Sequence, residues 1–440
     1  MRTKYLIIGN SAGGIAAAEA IREVDKIGSL MIISDEPYPA YSRPLISKYL
    51  TRERNLDGML FRPADFYSQN DIVSLSGKKV KGLGLESHTA EVERVERIVW
   101  EKLLLATGGV PIVPRIEGIR KRGVFTFTTL DDAKAIDGFL DNASKAVVIG
   151  GGLIGISVTE ALVQRGVEVA VVEMKERILN TILDEQASSI AEEALRQASV
   201  SIVTSHTVAE ICGEETVSRV VLDDGEEIYC DLVVVAIGVV PRIELVEGIG
   251  IKVNRGIVVD RHMATSHPDI YSCGDAAEAY DFVYGENRLT PIWPNAYLGG
   301  RIAGYNMAGV KTEYPGGTAM NSLNYFGLDI AAAGMVAPSY GDGCEVLSRQ
   351  NDGIYRKVIL KDDLLVGMVF VRDIEKSGIV FSLMRDRVDV GSFKQALVAD
   401  DFGLVSLPRE LWQERLETPP PELVSQPVMP VETVEDFAGE

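Results

Sequence analysis

Three glycines in the segment GGGLIG, namely Gly150, Gly152 and Gly155, have a spacing that suits the binding of a dinucleotide pyrophosphate. Glycine permits a tight turn there and lets the backbone approach the phosphates, while the following helix supplies N–H donors and a favourable dipole. The segment lies between an apolar run and a helix-like stretch, which is the context that this pattern requires. It therefore predicts a dinucleotide site.

An acid follows this segment at the end of the apolar run VAVVE. The carboxylate of Glu173 can accept hydrogen bonds from both hydroxyls of an adenosine ribose, and it would repel a 2′-phosphate. We therefore predict NAD as a cofactor, with NADH preferred over NADPH. Lys175 and Arg177 come just after the acid and can offset the repulsion, so the preference is a hypothesis.

A related segment, GNSAGG, lies near the start of the chain. It has Gly9 and Gly14, but Ser11 stands where the pattern has its second glycine. Serine is small enough for a phosphate to approach. The apolar run LMIIS that follows is succeeded by Asp35 and Glu36, which can bind a ribose hydroxyl. Taken alone, this turn fits a structural β-α connection equally well.

Both glycine segments occur in the same order of elements: an apolar strand, a glycine turn, a helix, a second apolar strand and an acid. Such β-α-β units form parallel sheets with right-handed crossovers. Strand and turn signals follow each unit, rather than a third long helix. The segments LLLATGGVP (103–111) and VVVAIGVVP (233–241) also match each other. The pattern indicates an internal duplication.

Three further segments resemble the FAD-dependent pyridine nucleotide oxidoreductases. IYSCGDAAE (270–278) is similar to the element in which an acid, here Asp275, holds the ribityl chain of the flavin. YSRPLISKYL (41–50) resembles the ferredoxin reductase and rubredoxin reductase branch, and IWPNAYLGGRIAGYNMAG (292–309) resembles the helix beneath the flavin ring. Together with the glycine segments, the resemblance covers residues 1–320, and its ordered motifs are specific in combination.

The resemblance implies bound FAD beside NAD and gives roles to individual residues. Lys48 would be a catalytic cation at the flavin, where it would stabilise the negative charge that develops on reduction, and Trp293 and Pro294 would flank the ring. A surface lysine and a core tryptophan are the alternatives. The implied cofactor-binding residues are Gly9, Ser11, Gly13, Gly14, Asp35, Glu36, Lys48, Val80, Ala106, Thr107, Gly108, Gly150, Gly152, Ile154, Gly155, Glu173, Gly238, Gly274, Asp275 and Trp293.

One departure from the family pattern concerns the nicotinamide. Many members carry a glutamate two residues after the third glycine, whereas this chain has Ser157 there and Glu160 one turn further on. The departure leaves the nicotinamide contacts open, although it does not affect the dinucleotide site itself.

The predicted fold class is α/β, with two Rossmann-like dinucleotide-binding domains arranged as in glutathione reductase and a small α+β C-terminal domain. We predict a discontinuous FAD-binding domain at 1–112 and 245–320, into which a NAD-binding domain at 113–244 is inserted. The C-terminal domain is predicted at 321–416. It would cover the flavin or form a subunit interface.

Two features of the C-terminal region can be read from its sequence. Asp362 and Asp363 suit the turn of a hairpin, and a helical stretch runs from about Ile374 to Arg385. Residues 417–440 contain five prolines and six acids but no lysine or arginine. We therefore predict a disordered acidic tail, which either docks a partner or has no function.

The positions of the cysteines restrict how electrons leave the flavin. Disulfide reductases of this fold use a cysteine pair, and related peroxidases use one cysteine, after the second strand; here the first cysteine is Cys212. Cys273, beside the implied flavin, fits a small buried thiol. Without a thiolate relay, a flavin can still accept hydride and release its electrons singly. We predict electron exchange with a ferredoxin-like or rubredoxin-like iron-sulfur protein.

Two alternatives belong to other functional classes. An NADH oxidase that reacts with O₂ at the flavin needs no protein thiol. A flavoprotein electron-transfer subunit of a larger dehydrogenase complex would carry the same cofactors, and a homodimer is compatible with either. The cysteines lack metal-like spacing, so we predict no metal site.

The composition limits the class of protein and its partners. At 440 residues, with 46% hydrophobic and 25% charged residues, the chain has the balance of a soluble multidomain protein. A formal net charge of −20 would repel nucleic acid and anionic membranes, so neither is a predicted partner. With no signal peptide recognised, we predict a cytoplasmic location.

Overall fold

The computed structural model describes residues 1–339 and 341–411. Residues 1–112 form the first sheet and the helices that pack on it. The bounds are β1 (Arg2–Ile8), α1 (Ala12–Val24), β2 (Leu30–Ile33), α2 (Ile46–Leu50), α3 (Phe66–Gln69), β3 (Ile72–Leu75), β4 (Val80–Gly84), β5 (Thr89–Val92), β6 (Ile98–Leu105) and β7 (Gly109–Pro111).

β1 is central in the first sheet, whose order is β3-β2-β1-β6-β5-β4. β1 is parallel to β2 and β6, and β2 is parallel to β3, whereas β5 and β4 extend the sheet in antiparallel pairing. The four residues of β2 are all buried, as expected for a strand that is covered on both faces. The carboxyl ends of β1, β2 and β6 therefore share one edge, where ligands bind in folds of this kind.

Residues 113–244 form a second parallel sheet and a small antiparallel one. The bounds are β8 (Val124–Thr126), α4 (Leu130–Asp137), β9 (Lys145–Ile149), α5 (Leu153–Gln164), β10 (Glu168–Glu173), α6 (Glu185–Gln197), β11 (Ser201–Thr204), β12 (Val208–Cys212), β13 (Arg219–Leu222), β14 (Glu227–Tyr229), β15 (Leu232–Val235) and β16 (Val239–Pro241). The parallel sheet has the order β11-β10-β9-β15-β8, so β9-α5-β10 repeats the arrangement of β1-α1-β2.

Helix α6 corrects the sequence-based expectation that no third long helix follows the β-α-β units. It begins after Asp184, whose side chain accepts a hydrogen bond from the Ala187 N–H at 3.1 Å. The buried face consists mostly of small side chains, including Ala187, Ser188 and Ala191. Because alanine and serine give a weak apolar pattern, the helical period is hard to see in the sequence.

The chain then returns to the first sheet. The bounds of the remaining elements are β17 (Ile257–Val258), β18 (Ile270–Ser272), β19 (Ala277–Asp281), β20 (Glu286–Arg288), α7 (Trp293–Met307), β21 (Met320–Tyr325), β22 (Leu328–Gly334), β23 (Glu345–Asn351), β24 (Ile354–Lys361), β25 (Leu364–Val371) and α8 (Ser377–Arg385). β18 pairs in parallel with β6. The chain leaves the first sheet through β7 and returns to it through β16, and these two strands pair with each other.

Helices α1 and α7 pack closely through glycine. A Cβ on Gly300 would lie 2.1 Å from the Gly13 carbonyl oxygen, and one on Gly304 would lie 2.5 Å from the Ala17 carbonyl oxygen. Larger residues would separate the helices. Because α1 follows the first glycine turn and α7 begins at Trp293, this contact fixes Trp293 relative to the turn.

The C-terminal sheet is antiparallel, in the order β21-β22-β25-β24-β23, and α8 packs against it. Asp362 and Asp363 have φ values of 52° and 56°, which confirms the predicted hairpin turn between β24 and β25. α8 begins at Ser377, slightly later than the predicted Ile374, because the preceding residues form a turn.

These layers confirm the predicted α/β fold class with a smaller C-terminal domain. The predicted domain boundaries stay predictions, and the predicted tail at 417–440 lies outside the described residues, as do residues 412–416. Within the described part of the chain, no helix has the length and apolar character needed to cross a membrane.

Candidate functional site

The first glycine turn joins β1 to α1 at the ligand-binding edge of the first sheet. Gly9 has a φ of +120°, and a Cβ there would lie 2.0 Å from the Ala106 carbonyl oxygen. A Cβ on Gly14 would meet the Gly9 carbonyl oxygen at the same distance of 2.0 Å. Ser11 is the N-cap of α1, and its side chain makes no capping hydrogen bond. The turn thus has the compact backbone that a pyrophosphate site requires.

A cleft of about 560 Å³ opens beside this turn, which is within the size range of small-molecule sites. Four of the predicted cofactor residues line it: Gly9, Asp35, Val80 and Thr107. Arg242 also lines the cleft and is absent from the predicted set. The structure therefore brings together residues from four separate places in the sequence that were predicted to meet one cofactor.

Arg242 follows β16, where the chain leaves the second unit. Its Nη1 atom lies 2.7 Å from Oδ2 of Asp35, and its carbonyl oxygen accepts a hydrogen bond from the Thr107 hydroxyl at 2.7 Å. The Asp35 carboxylate is therefore already paired with the Arg242 cation, independently of any contact with a ribose. The only sequence signal for this residue is its position just after the segment VVVAIGVVP.

Glu36 lines a smaller recess together with Ser11. Its carboxylate accepts a hydrogen bond from the Tyr41 hydroxyl at 2.6 Å and forms an ion pair with Arg43. Arg43 also donates to the carbonyl oxygen of Thr128 at 3.2 Å. Tyr41 and Arg43 are in the segment YSRPLISKYL, in which only Lys48 is a predicted site residue.

Asp275 is the strongest observation for a bound flavin. Within the described residues, its carboxylate makes no hydrogen bond and no ion pair, although the residue is partly buried. Burial raises the pKa of Asp275, and the nearby Arg43 partly opposes that rise. A carboxylate that is partly removed from water and has no donor is destabilised. The hydroxyl groups of a ribityl chain would supply the missing donors, so this residue fits the implied cofactor.

Lys48 is not joined to Asp275 or Trp293 by a hydrogen bond or an ion pair. It lies on α2, and its ammonium group is 3.2 Å from the carboxylate of Glu53. Its side chain is 40% exposed. Arg43, rather than Lys48, is the cation whose charge acts on Asp275. A flavin contact by Lys48 therefore stays a prediction.

Trp293 is the first residue of α7, and Pro294 follows it in the first turn, where proline is well tolerated. The Trp293 ring meets Phe61 edge to face, with ring centroids 5.0 Å apart. Phe61 meets Tyr297 in the same manner. This aromatic group connects α7 to the loop after α2. No sequence pattern predicted a role for that loop.

The cysteines agree with the predicted absence of a thiolate relay. Cys273 is fully buried, and burial raises the pKa of its thiol to about 12, with a further contribution from the charge of Asp275. It therefore stays protonated at neutral pH, as a small buried thiol. Cys212, Cys230 and Cys344 are also free thiols.

The second glycine turn joins β9 to α5 and has the same geometry as the first. Gly150 has a φ of +109°, and a Cβ on Gly155 would lie 1.9 Å from the Gly150 carbonyl oxygen. A Cβ on Gly152, in contrast, would meet no atom within 4 Å. The space in front of Gly152 is therefore open to a phosphate, as the glycine pattern predicts.

Glu173 closes this turn from the end of β10. One carboxylate oxygen accepts from the Gly151 N–H at 2.7 Å, and the other accepts from the Lys175 N–H at 2.8 Å. Each oxygen keeps a further lone pair for a ribose hydroxyl. The residue thus shapes the turn and can also contact adenosine.

The remaining predicted residues surround these two turns. Ala106 stands behind Gly9, and a Cβ on Gly13 would meet the Cys273 sulfur at 2.6 Å. Three glycines lie where the backbone turns with positive φ: Gly108 (φ +70°), Gly238 (φ +120°) and Gly274 (φ +71°). Ile154 lies on α5 and packs partly against the core.

One cluster outside these turns could hold a cation. His206, Asp223 and Asp224 place one ligand atom each within 4.8 Å of one another on the surface of the second unit. The His206 ring lies 3.0 Å from Asp223 and 3.7 Å from Asp224. An exposed ion pair accounts for this grouping, so we assign no metal to it.

Comparison with known proteins gives two family matches. Residues 3–300 match the family described as pyridine nucleotide-disulphide oxidoreductase, and residues 320–388 match the rubredoxin NAD+ reductase C-terminal domain. The two matches together cover both parallel sheets and the C-terminal sheet.

Individual relatives include two curated proteins and one solved structure. The chain is 32% identical to the NADH-dependent phenylglyoxylate dehydrogenase subunit epsilon of Aromatoleum evansii, over 91% of this chain and 96% of the relative. It is 30% identical to the assimilatory nitrate reductase electron transfer subunit of Bacillus subtilis, over 90% of this chain but 51% of that relative. A ferredoxin reductase structure from Rhodopseudomonas palustris has 25% identity and a TM-score of 0.83, over 92% of this chain and 99% of that chain.

Proposed function

Because the chain belongs to the pyridine nucleotide-disulphide oxidoreductase family, we propose that it transfers hydride between NADH and FAD and single electrons between FAD and an iron-sulfur protein. The observation that carries this proposal is that the proposed flavin site has no reactive thiol beside it. No cysteine precedes Cys212, and Cys273 is buried and protonated. Electrons must therefore leave the flavin directly, which suits a one-electron acceptor.

We propose that FAD lies across the first glycine turn. The N–H groups at the start of α1 would bind the pyrophosphate, Asp35 and Arg242 would face the adenosine end, and Asp275 would accept from the ribityl hydroxyls. Bound there, FAD supplies a ring that accepts hydride and releases electrons one at a time. Helix α7 would orient this ring, and Arg43, whose charge acts on Asp275, and Lys48 would be the cations that stabilise its negative charge.

We propose that NADH lies across the second glycine turn. Gly152 leaves open space for the pyrophosphate, and Glu173 would accept from the adenosine ribose. Glu173 is anionic and would repel a 2′-phosphate, so NADH is preferred over NADPH. Domain boundaries of 1–112 and 245–320 for FAD and 113–244 for NAD are consistent with the pairing of β18 to β6.

An iron-sulfur carrier is the proposed partner, and a rubredoxin-like or ferredoxin-like protein fits best. The match of residues 320–388 to a rubredoxin NAD+ reductase domain and the likeness to a ferredoxin reductase support it. A homodimer stays a prediction. The four free thiols are compatible with the reducing environment of the cytoplasm, which is the proposed location.

A second candidate is a flavoprotein subunit of a larger dehydrogenase complex. The similarity to the phenylglyoxylate dehydrogenase subunit epsilon, which extends over 96% of that subunit, favours it. Co-purification of a stable iron-sulfur subunit from the native host would support this candidate over a free reductase.

Anaerobic stopped-flow spectroscopy tests the proposal. The protein is mixed with NADH, and the visible flavin absorbance is followed; rubredoxin, ferredoxin or O₂ is then added in separate experiments. Bleaching by NADH followed by rapid recovery with an iron-sulfur carrier is the expected result. Recovery with O₂ alone would identify an NADH oxidase instead, and no bleaching would contradict the proposal.

A further inference from the structure

The tip of the β21–β22 hairpin lies on the helix that carries the second glycine turn. Tyr325 ends β21, and Phe326 and Gly327 form the tight turn, with φ values of 51° and 73°. Positive φ at both central residues is characteristic of a two-residue hairpin turn. The tip is therefore a tight two-residue turn.

Three polar contacts join this tip to α5. The Tyr325 hydroxyl donates to the Leu153 carbonyl oxygen at 3.2 Å and lies near the Ser157 side chain, which helps to lower its pKa against the effect of burial. The Phe326 N–H donates to the Glu160 carboxylate at 2.6 Å. The contacts follow one face of α5 from its first residue for two turns.

The hairpin tip also packs against apolar side chains from other parts of the chain. Tyr325 and Phe326 pack against the core cluster that includes Ile156 of α5 and Leu50 of α2. α2 belongs to the segment that approaches the flavin site. The tip therefore lies where the FAD unit, the NAD unit and the C-terminal sheet meet.

The position of Leu153 gives these contacts a functional meaning. Leu153 immediately follows Gly152, whose front face is open to the dinucleotide. Any tilt of the first turn of α5 would move the pyrophosphate and, with it, the nicotinamide end. Reaction rates depend steeply on such displacements, since a 1 Å misplacement can lower the rate by about 100-fold.

We propose that Tyr325 is a positioning residue for hydride transfer: its hydroxyl fixes the first turn of α5 and thereby the placement of NADH relative to the flavin. The inference rests on the proposed function. Glu160 has the same role through the Phe326 N–H, and Ser157 leaves room for the tyrosine. Burial raises the pKa of Tyr325 to about 12, so the hydroxyl remains a donor at neutral pH.

The test compares two tyrosines that both join the C-terminal sheet to the second unit. Tyr325→Phe removes the hydroxyl at the glycine turn. Tyr355→Phe removes a hydroxyl that donates to Asp184 at 2.7 Å, at the start of α6 and away from the turn. For both variants, we would measure FAD content, melting temperature, and the limiting rate and NADH dependence of flavin reduction.

Tyr325→Phe is expected to retain FAD and to lower the limiting rate of flavin reduction on the order of tenfold. Tyr355→Phe is expected to reduce the flavin at the wild-type rate, even if its melting temperature falls. Glu160→Ala removes the acceptor for the Phe326 N–H and should resemble Tyr325→Phe, whereas Glu160→Gln keeps a carbonyl acceptor and should restore part of the rate that Glu160→Ala loses.

Two results would overturn the inference alone: a wild-type limiting rate in Tyr325→Phe, or an equal loss in Tyr355→Phe, which would indicate a structural effect. If NADH does not bleach the wild-type flavin at all, the proposed function fails and the inference fails with it. The wild-type control therefore separates the two failures.

Discussion

Asp275 and Glu173 are both acids at a proposed dinucleotide site, but their surroundings differ. Glu173 already accepts two backbone hydrogen bonds, from Gly151 and Lys175, whereas Asp275 accepts none within the described residues. A ligand at Glu173 therefore adds to existing hydrogen bonds, whereas a ligand at Asp275 would supply the first hydrogen bonds that this carboxylate accepts. FAD binding should depend on Asp275 more strongly than NADH binding depends on Glu173.

Asp275→Ala is expected to weaken FAD binding. Loss of a hydrogen bond to a charged group costs about 1.5–3 kcal/mol, or roughly tenfold to 100-fold in affinity. Flavin absorbance per protein after dialysis gives the measurement. Glu173→Ala is the matched variant, and it should keep FAD while raising the NADH concentration needed for half-maximal flavin reduction. Equal flavin loss in both would contradict the assignment of two separate sites.

The raised pKa of Asp275 predicts a pH dependence in the flavin-free protein. A carboxyl group whose pKa is higher in the folded state binds extra protons there, so stability falls as pH rises through the interval between the ordinary and the raised pKa. Asp275→Asn removes this charge and should raise the melting temperature of flavin-free protein at pH 7. The gain should vanish in acid, below the ordinary pKa of aspartate. A melting temperature that stays at the wild-type value at pH 7 would show that Asp275 is not penalised by burial.

At the scale of elements, the glycines of the second turn differ in how much space surrounds them. A Cβ on Gly155 would overlap the Gly150 carbonyl oxygen, at 1.9 Å, while a Cβ on Gly152 would meet nothing. Gly152→Ala is therefore expected to fold with normal FAD content and to lose NADH affinity, because its methyl group fills the space for the pyrophosphate. Gly155→Ala is expected to lower the melting temperature. Titration with NADH and thermal unfolding of both variants distinguish these effects, and wild-type NADH affinity in Gly152→Ala would contradict the placement of NADH.

Helix α6 is held by an ion pair that also connects two parts of the molecule. Asp184 caps the helix and accepts hydrogen bonds from Lys357 and Tyr355. Burial alone would raise the pKa of Asp184, but these two partners outweigh burial and lower it. A lowered carboxyl pKa adds stability above the ordinary pKa, and this stability is lost as pH falls. Since Lys357 is buried, Asp184→Ala should cost about 3–5 kcal/mol at pH 7 and less in acid. Chemical denaturation gives the value, and Glu185→Ala, at an exposed neighbour, is the control; an equally small effect of both would exclude this role.

What the sequence could predict at this scale depended on local patterns. The glycine turns, the β-α-β units and the Asp362–Asp363 hairpin each involve residues that are close in sequence, so their backbone requirements can be read directly. Arg242 and Tyr325 could not be found in this way. Arg242 meets Asp35 across 207 positions and Tyr325 meets Leu153 across 172 positions, so only the folded chain brings them together.

At the scale of the whole molecule, one core cluster spans all three parts of the fold. It contains Tyr41 and Leu50 from the first unit, Ile156 and Leu162 from α5, and Leu328 from the C-terminal sheet. A predicted division into domains does not imply that these domains are independently stable, because each one contributes to the same buried surface. Removal of any one part would expose apolar side chains of the other two.

The shared core predicts that the molecule unfolds as one unit. Differential scanning calorimetry of the FAD-bound protein should show a single transition. The rise in fluorescence when FAD is released should occur at the same temperature, because unfolding of the NAD unit would expose the face on which α2 packs. NADH or NAD⁺ should shift both signals together, because a ligand of one unit stabilises every part that unfolds with it. Leu328→Ala, in the C-terminal sheet, should lower both by the same interval, with a cost of about 2–5 kcal/mol for a buried leucine. Two separate transitions, with flavin released in only one of them, would show instead that the units are coupled weakly and that the hairpin contacts on α5 do not transmit stability between them.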